Sequence, residues 1–349
     1  MSEVATRPVV DWSRAASTGA YLARGGPVVS REEAELAVSE LRDLTTEAEA
    51  HVRELTGLGD GLPLLPGDVV DRPGWVRSAA SGLDALTAKA LPPNPAGKLA
   101  PVLAGSAGVQ TGVVLAFLAS RVLGQYDPFG GPDQRGRLLL VAPNVVTAQQ
   151  ALRVPGRDFR MWVCLHESTH RLQFTSVDWL RDYFADEVER LVGGLADDEG
   201  VGDLLSRLPD ALREVKRAKA DGVVAVGQLL RSPEQRAVFD RLLALSTLLE
   251  GHADYVMDAV GPSVVPTVET IRARFTDRRK GGGPLDRVLR TLLGVDAKIR
   301  QYAQGAAFTR HVVGRVGMAG FNAVWTSPNT LPTRAEIAEP EAWVRRVHP

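Results

Sequence analysis

His166-Glu167-Ser168-Thr169-His170 is the stretch of this sequence that decides the fold. On an α-helix, residues four apart lie on one face about one turn apart, so two imidazoles at this spacing can reach one metal ion. The glutamate beside the first histidine can then reach a water molecule bound to that metal. The H-E-x-x-H pattern is typical of a zinc-binding helix. The chain has only 6 histidines in 349 residues, and two of them fall in this pattern.

An ordinary helix carrying two hydrogen-bonded histidines is the simpler alternative, and the apolar surroundings argue against it. The flanking residues include Phe159, Trp162, Val163, Leu165 and Phe174. Burial of two imidazoles and a carboxylate costs free energy unless these groups are paired or bound to a metal. The sequence therefore predicts a Zn²⁺ cofactor bound by His166 and His170, with Glu167 as the general base that activates the bound water.

A catalytic zinc usually has three protein ligands and an open fourth position, so a third ligand must lie elsewhere in the chain. Glu250 is the preferred residue, because it lies in an apolar segment predicted to be helical from about Phe239 to Val260,. Glu189, with 18 residues between it and His170, is the alternative. It lies in a charged stretch that is typical of a solvated helix face. The choice of Glu250 makes residues of about 176–238 a helical insertion between the two ligand helices.

Asp254 follows Glu250 by one helical turn. We expect its carboxylate to accept a hydrogen bond from His166 or His170, which would fix the orientation of that ring. A competing interpretation pairs Asp254 with an arginine, such as Arg171 or Arg300.

The order H-E-x-x-H followed by E-x-x-x-D resembles the glutamate zincins (gluzincins), in which a glutamate is the third zinc ligand. In many gluzincins that glutamate follows the second histidine closely, whereas here Glu250 is 80 residues beyond His170. The resemblance also implies a tyrosine or histidine that stabilises the oxyanion. Tyr302, on a helix predicted at roughly 296–312, is our first choice. His311, His252 and Tyr255 are the alternatives, and a buried tyrosine bonded to backbone is an equally ordinary role for such a residue.

Several segments resemble one family of zincin-like metallopeptidases, a family associated by name with biosynthesis of a deazaflavin coenzyme. The matching segments run from about residue 100 to the end of the chain: Val122–Asp127, Leu138–Asn144, Trp162–Phe174, Glu250–Val256, Lys298–Tyr302, and Leu331–Thr333 through Glu341–Trp343. This resemblance implies a mainly α (α+β) fold of the zincin-like metallopeptidase type, with a small sheet and an active-site helix. The sequence shows no deazaflavin or phosphate site that would support the name of the pathway.

The predicted elements place an N-terminal helical region over residues 1–100 and a zincin-like catalytic region over 101–349. Helices are predicted over Glu32–Thr56, Arg72–Ala90 and Pro101–Gln125. Arg137–Ala142 is the clearest strand, because it is short and apolar and ends at Pro143-Asn144,. Zincin folds usually carry an edge strand before the motif helix, along which a peptide substrate can lie. The sequence leaves open whether this strand is that edge or a core strand.

The net charge and the cysteine content limit which binding partners and which cellular compartment are expected for this protein. The net charge is −1 and the pI about 6.6, so no global field attracts nucleic acid or an anionic membrane,. Cys164 is the sole cysteine, which excludes an intramolecular disulfide and fits a reducing compartment,. The N-terminal residues carry no secretory signal, so a cytoplasmic location is expected. The apolar run Val113–Leu123 is too short to span a bilayer,.

These observations predict a zinc-dependent hydrolase that cleaves peptide or amide bonds by a zinc-activated water. Its expected partner is a peptide or protein substrate, with no nucleic acid and no membrane, and the oligomeric state is left open. One alternative is a non-catalytic zincin that serves as a metal-stabilised binding or regulatory module. Another is a hydrolase of non-peptide substrates on the same scaffold. Glu167 favours catalysis, because a purely structural site has no use for a general base.

Overall fold

A computed structural model of the chain describes residues 10–88, 100–131, 136–193, 232–280 and 295–349, without the side chains of 100–104, 278–280 and 295–303. The fold is mainly α-helical with one small mixed sheet, as predicted. In the described residues, no helix has the length and apolar character needed to cross a membrane.

Four helices and one strand lie in the described N-terminal residues, 10–88 and 100–119. They are α1 (Trp12–Leu22), α2 (Arg31–Thr56), β1 (Asp68–Val70), α3 (Arg72–Thr87) and α4 (Ala100–Ala119). Helix α2 begins with a capping box, in which the Ser30 side chain accepts from the backbone N–H of Glu33 and the Glu33 carboxylate accepts from that of Ser30,. It ends at Gly57, whose φ of 70° is in the left-handed region that favours glycine,. The predicted helix at 32–56 is therefore confirmed within a residue. The helix predicted at 72–90 is confirmed as far as Thr87, and residues 89–90 lie outside the described residues.

Three strands form a sheet in the order β1-β3-β2, where β2 is Gly124–Asp127 and β3 is Arg137–Val141. Strand β3 is parallel to β1 and antiparallel to β2. The predicted strand at 137–142 is thus confirmed as a strand but lies at the centre of the sheet, so the core interpretation holds and the edge interpretation is wrong. The edge strand beside the motif helix is β2. The prediction that α4 continues to Gln125 is also wrong. The helix ends at Ala119, and Gly124 already pairs with Leu140 of β3.

The C-terminal part contains helices that surround the motif. These are α5 (Ala142–Leu152), α6 (Gly156–Thr175), α7 (180–193), α8 (Pro233–Ala259), α9 (Val268–Lys280), α10 (Val295–Phe321), α11 (Arg334–Ala338) and α12 (Pro340–Val347). Of the insertion predicted at 176–238, α7 is described and 194–231 lie outside the described residues. Helix α8 begins at Pro233, six residues before the predicted start, because Ser232 caps it by accepting from the backbone N–H of Gln235 at 3.0 Å,.

The motif helix α6 lies in the main hydrophobic core between α2 and α8. The core residues of these three helices include Leu41, Leu44, Ala48, Val52, Phe159, Leu165, Leu172, Leu245, Leu248 and Val256. Helices on both sides of the predicted boundary at residue 100 therefore share one core, and the division into two regions stays a prediction. Cys164 is fully buried in this core, and burial raises the pKa of its thiol, which favours a packing role over a reactive thiol,.

Candidate metal centre

The two motif histidines and Glu250 converge between α6 and α8. The Nε2 atoms of His166 and His170 are 3.2 Å apart on α6. The Oε2 atom of Glu250, on α8, lies 3.5 Å from His166 Nε2 and 3.7 Å from His170 Nε2. Within the described part of the chain, these three residues are the group of potential metal ligands whose donor atoms all lie within 4.8 Å of one another.

The spacing of these three atoms fits a zinc ion. Ligands bound tetrahedrally at the usual zinc distances of about 2.0–2.1 Å lie roughly 3.3–3.5 Å from one another. The three observed separations, 3.2, 3.5 and 3.7 Å, match one face of such a tetrahedron. Two imidazole nitrogens and one carboxylate oxygen are also a donor set of catalytic zinc sites, which keep the fourth position for water.

Glu189, the alternative third ligand, lies on α7 and is exposed to solvent. It does not belong to the group of converging donors. Glu250 has a side chain that is only 17% exposed, as expected for a carboxylate in an apolar helix. The structure therefore groups Glu250 with the two histidines and leaves Glu189 at the surface.

Glu167 is buried, with 6% of its surface exposed, and it lies against the edge strand. A Cβ atom built on Gly124 would lie 2.5 Å from Glu167 Cγ and 2.8 Å from Glu167 Oε1. The absence of a side chain at residue 124 thus makes room for the carboxylate between α6 and β2. The sequence contains a signal for this contact, because a glycine at the start of a strand often marks a close approach.

Strand β2 has two distinct faces, as the alternation of strand side chains requires. Gly124 and Tyr126 face α6, where the Tyr126 ring lies 6.0 Å from that of Phe174. On the other face, Gln125 accepts a hydrogen bond of 2.9 Å from the indole N–H of Trp75 on α3. The edge strand is therefore held between α3 and the motif helix.

An aromatic cluster, formed by Tyr126, Phe129, Phe174 and Phe184, lies one helical turn beyond His170. Ring centroids in it are 6.0 to 6.2 Å apart, and the Arg181 guanidinium lies 5.4 Å from the centroid of the Phe129 ring. All four rings are only partly buried. The cluster therefore provides a half-open apolar surface beside β2.

The ring of His170 is held by Gln173, which sequence reasoning missed. His170 Nδ1 lies 2.9 Å from Gln173 Oε1. Burial lowers the pKa of His170, but the hydrogen bond and the charge of Glu250 outweigh burial, so the pKa of His170 is raised. The available signal was a polar residue three positions after His170, on the same face of an apolar helix.

His166 has a different neighbour on the far side of its ring. Its Nδ1 atom lies 3.2 Å from the Sδ atom of Met257 on α8. A thioether sulfur is a weak hydrogen-bond acceptor, so this contact is weaker than the hydrogen bond between His170 and Gln173.

Asp254 does not take the expected place beside a histidine. Its carboxylate accepts a hydrogen bond from Arg272 of α9, and the same guanidinium donates to Asp258 at 2.7 Å. This corrects the predicted hydrogen bond from a ligand histidine to Asp254. The competing interpretation, an ion pair with an arginine, is confirmed, although the partner is Arg272. The reason is geometric, because Asp254 faces α9 while Met257 and Gln173 already occupy the two Nδ1 positions.

Of the residues considered as oxyanion donors, Tyr302 lies in α10 but its side chain falls outside the described residues. His311 is at the surface, where its Nε2 lies 3.1 Å from the Glu341 carboxylate. His252 is fully buried against Phe321, and burial together with the charge of His170 lowers the pKa of His252 to about 3. Tyr255 is half-buried and packs against the core.

A buried ionic cluster attaches the motif helix to α2. The Glu49 carboxylate pairs with Arg171, the residue after His170, and with Arg53. The side chains of Glu49 and Arg171 are 2% and 5% exposed. Such a cluster requires good pairing, because the desolvation of each charge is costly.

Comparisons with known proteins identify a family and a similar solved structure. The family model for the zincin-like metallopeptidases matches residues 10–344. Among solved structures, the chain is similar to a protein from Chloroflexus aurantiacus described as a "putative hydrolase with a novel fold". The two share 29% sequence identity with a TM-score of 0.66, and the alignment covers 97% of this chain and 98% of that one. No curated protein matches.

Proposed function

Because the chain belongs to the zincin-like metallopeptidase family, we propose that it is a zinc-dependent hydrolase that cleaves peptide or amide bonds. The observation that carries this proposal is the convergence of His166 Nε2, His170 Nε2 and Glu250 Oε2 beside the buried Glu167. His166, His170 and Glu250 would hold the metal. When bound, zinc lowers the pKa of a water molecule and polarises the carbonyl that is cleaved.

Glu167 is the proposed proton carrier. Its carboxylate would accept the proton of the attacking water and pass that proton to the leaving amine. Burial against Gly124 holds the side chain in one place, which favours a defined path for the proton. Tyr302 stays our proposed donor to the tetrahedral oxyanion.

The edge strand β2 supports a peptide as substrate. The backbone N–H of Val141 donates to the carbonyl of Leu123 at 2.9 Å. Since hydrogen-bonding pairs alternate along an antiparallel ladder, the main-chain groups of Gly124 and Tyr126 point away from β3. A peptide strand could pair with these groups and lie close to Glu167, which would bind many sequences through main-chain hydrogen bonds.

The aromatic cluster suggests a preference for apolar side chains. A peptide paired with β2 would pass the half-buried rings of Tyr126 and Phe174. Contact with these rings would favour a large apolar residue near the cleaved bond, because burial contributes about 25 cal/mol for each Å² of apolar surface. We propose a peptide or protein substrate on this basis, and a cytoplasmic location stays a prediction.

Digestion of a peptide library tests the proposed function directly. The purified protein is assayed as zinc-loaded, as chelator-treated and as zinc-restored samples. We expect cleavage in the first and third samples only, with large apolar residues enriched next to the cut. Zinc binding without any cleavage would contradict the proposal and would favour the metal-stabilised binding module. Cleavage that survives chelation would place the activity outside this site.

A further inference from the structure

Gln173 connects the two helices that carry the proposed metal ligands. It lies on α6 with no exposed surface, three residues after His170. Its Oε1 atom is 2.9 Å from His170 Nδ1. Its Nε2 atom donates to the backbone carbonyl of Leu249 at 3.0 Å and lies 3.0 Å from His252 Nδ1.

The carbonyl of Leu249 determines which way the amide of Gln173 points. A carbonyl can only accept hydrogen bonds, so the NH₂ group of Gln173 must face it and Oε1 must face His170,. Because Oε1 carries no hydrogen, the proton of this contact belongs to His170 Nδ1,. A neutral imidazole has one N–H, which leaves a lone pair on His170 Nε2. This is the nitrogen that faces His166 and Glu250.

The second N–H of the amide reaches His252, which completes the hydrogen bonding of Gln173. His252 Nδ1 must then be the acceptor, since Gln173 Nε2 can only donate,. His252 is itself fully buried, with its ring centroid 5.1 Å from that of Phe321 and 5.6 Å from that of Trp325. The His252 ring is thus packed between the amide and these aromatic rings.

We propose that Gln173 is a positioning residue for the metal centre, acting on two of its three ligands. It holds His170 in the tautomer whose Nε2 lone pair faces the site. It also fixes the backbone of Leu249, the residue before Glu250, and so sets the place of the third ligand relative to α6. This inference rests on the proposed zinc site, but the tautomer of His170 follows from the hydrogen bonds of the protein alone.

Two substitutions separate the two actions of this side chain. Gln173→Met keeps the length of the side chain and removes every hydrogen bond. Gln173→Glu keeps an acceptor for His170 but removes the donors to Leu249 and His252. Gln235→Met is the matched control, because Gln235 is another buried glutamine, near the start of α8.

The tautomer of His170 is measured first, at an alkaline pH at which the imidazole is neutral, from the ¹⁵N shifts of its ring nitrogens in long-range ¹H–¹⁵N correlation spectra of the chelator-treated protein. We expect the proton on Nδ1 in the wild type, in Gln173→Glu and in Gln235→Met. In Gln173→Met we expect a mixture of tautomers. A wild-type spectrum with the proton on Nε2, or an unchanged tautomer in Gln173→Met, would overturn the proposal.

Zinc affinity is measured second, by competition with a chelator, with circular dichroism as the check on folding. We expect Gln173→Met to weaken zinc binding about 10–100-fold, the usual cost of losing a partner of a ligand histidine. Gln173→Glu should weaken it less, and Gln235→Met should match the wild type. Equal affinity in all four proteins would overturn the role of Gln173. A wild type that binds no zinc would refute the proposed function instead, while the tautomer measurement would still decide the role of Gln173.

Discussion

Gly124 on the edge strand and Glu167 on the motif helix occupy adjoining space, since a Cβ atom at residue 124 would lie 2.5 Å from Glu167 Cγ. Contacts this short do not occur between carbon atoms in folded proteins, so any side chain at residue 124 must displace the glutamate or the strand. The position of the proposed general base therefore depends on the lack of a side chain on the neighbouring strand.

Gly124→Ala should lower hydrolysis while leaving zinc binding intact. The added methyl group pushes the Glu167 carboxylate away, and a misplacement of about 1 Å in a catalytic group can cost on the order of 100-fold in rate. Peptide cleavage and zinc content are measured side by side. Gly25→Ala is the control, because a Cβ there meets no atom within 4 Å. An unchanged rate in Gly124→Ala would show that Glu167 tolerates the shift or takes no part in the reaction.

Glu167→Gln should abolish most hydrolysis and keep the metal. The amide cannot accept the proton of the attacking water, and general-base catalysis typically contributes about 10²–10⁴-fold. The residue is not one of the three converging donors, so zinc content should match the wild type. If the variant cleaves the peptide library as fast as the wild type, the activity belongs to another residue or to a contaminant.

Much of the site could be predicted from the sequence because local rules govern it. The helical spacing of His166 and His170 places both on one face, and the burial of a charge in an apolar helix pointed to Glu250 across 80 residues,. Helix α2 was predicted within a residue of its observed start, because the acidic residues in its first turn and Gly57 after its last turn are local end signals,.

The rest depends on contacts between distant segments. Residues 124–127 have no strong local strand pattern, and their pairing with β3 is what makes them a strand. Asp254 is one turn from Glu250, but helical spacing does not tell which neighbouring helix it faces. The packing of α9 against this part of the fold brings Arg272 into an ion pair with Asp254. Gln173 was missed because its three hydrogen-bonding partners lie on two helices.

The proposed third ligand can be tested by comparing two glutamates. Glu250→Ala should lower zinc affinity by more than about 100-fold, since even the loss of a partner of a ligand costs about 10–100-fold. Glu189→Ala is the matched control, because Glu189 is exposed on α7. Zinc per chain is measured after equilibration with a chelator. If Glu189→Ala loses the metal and Glu250→Ala keeps it, the assignment of Glu250 fails.

Asp254→Asn should leave zinc affinity unchanged and lower stability slightly. The substitution removes the charge that pairs with Arg272, and a partly exposed ion pair contributes about 1 kcal/mol or less,. Asp240→Asn is a control on the same helix, because Asp240 pairs with Arg334 at an exposed site. Urea unfolding measures the stability of each variant, and chelator competition measures its zinc affinity. A clear loss of zinc affinity in Asp254→Asn would restore the hydrogen bond between Asp254 and a ligand histidine that the sequence predicted.

Glu49→Gln should be the most destabilising of these substitutions, because it leaves Arg171 buried without its counter-charge. Removing one partner of a buried ion pair typically costs about 3–5 kcal/mol of unfolding free energy. Glu35→Gln is the control, since the pair of Glu35 with Arg31 is exposed and should contribute less than about 1 kcal/mol,. Urea unfolding of both variants measures the difference in their free energies of unfolding.

The motif helix is attached to α2 through Arg171, next to His170, so zinc affinity should fall together with stability in Glu49→Gln. Equal stability of the two variants would show that the buried cluster does not hold the motif helix in place.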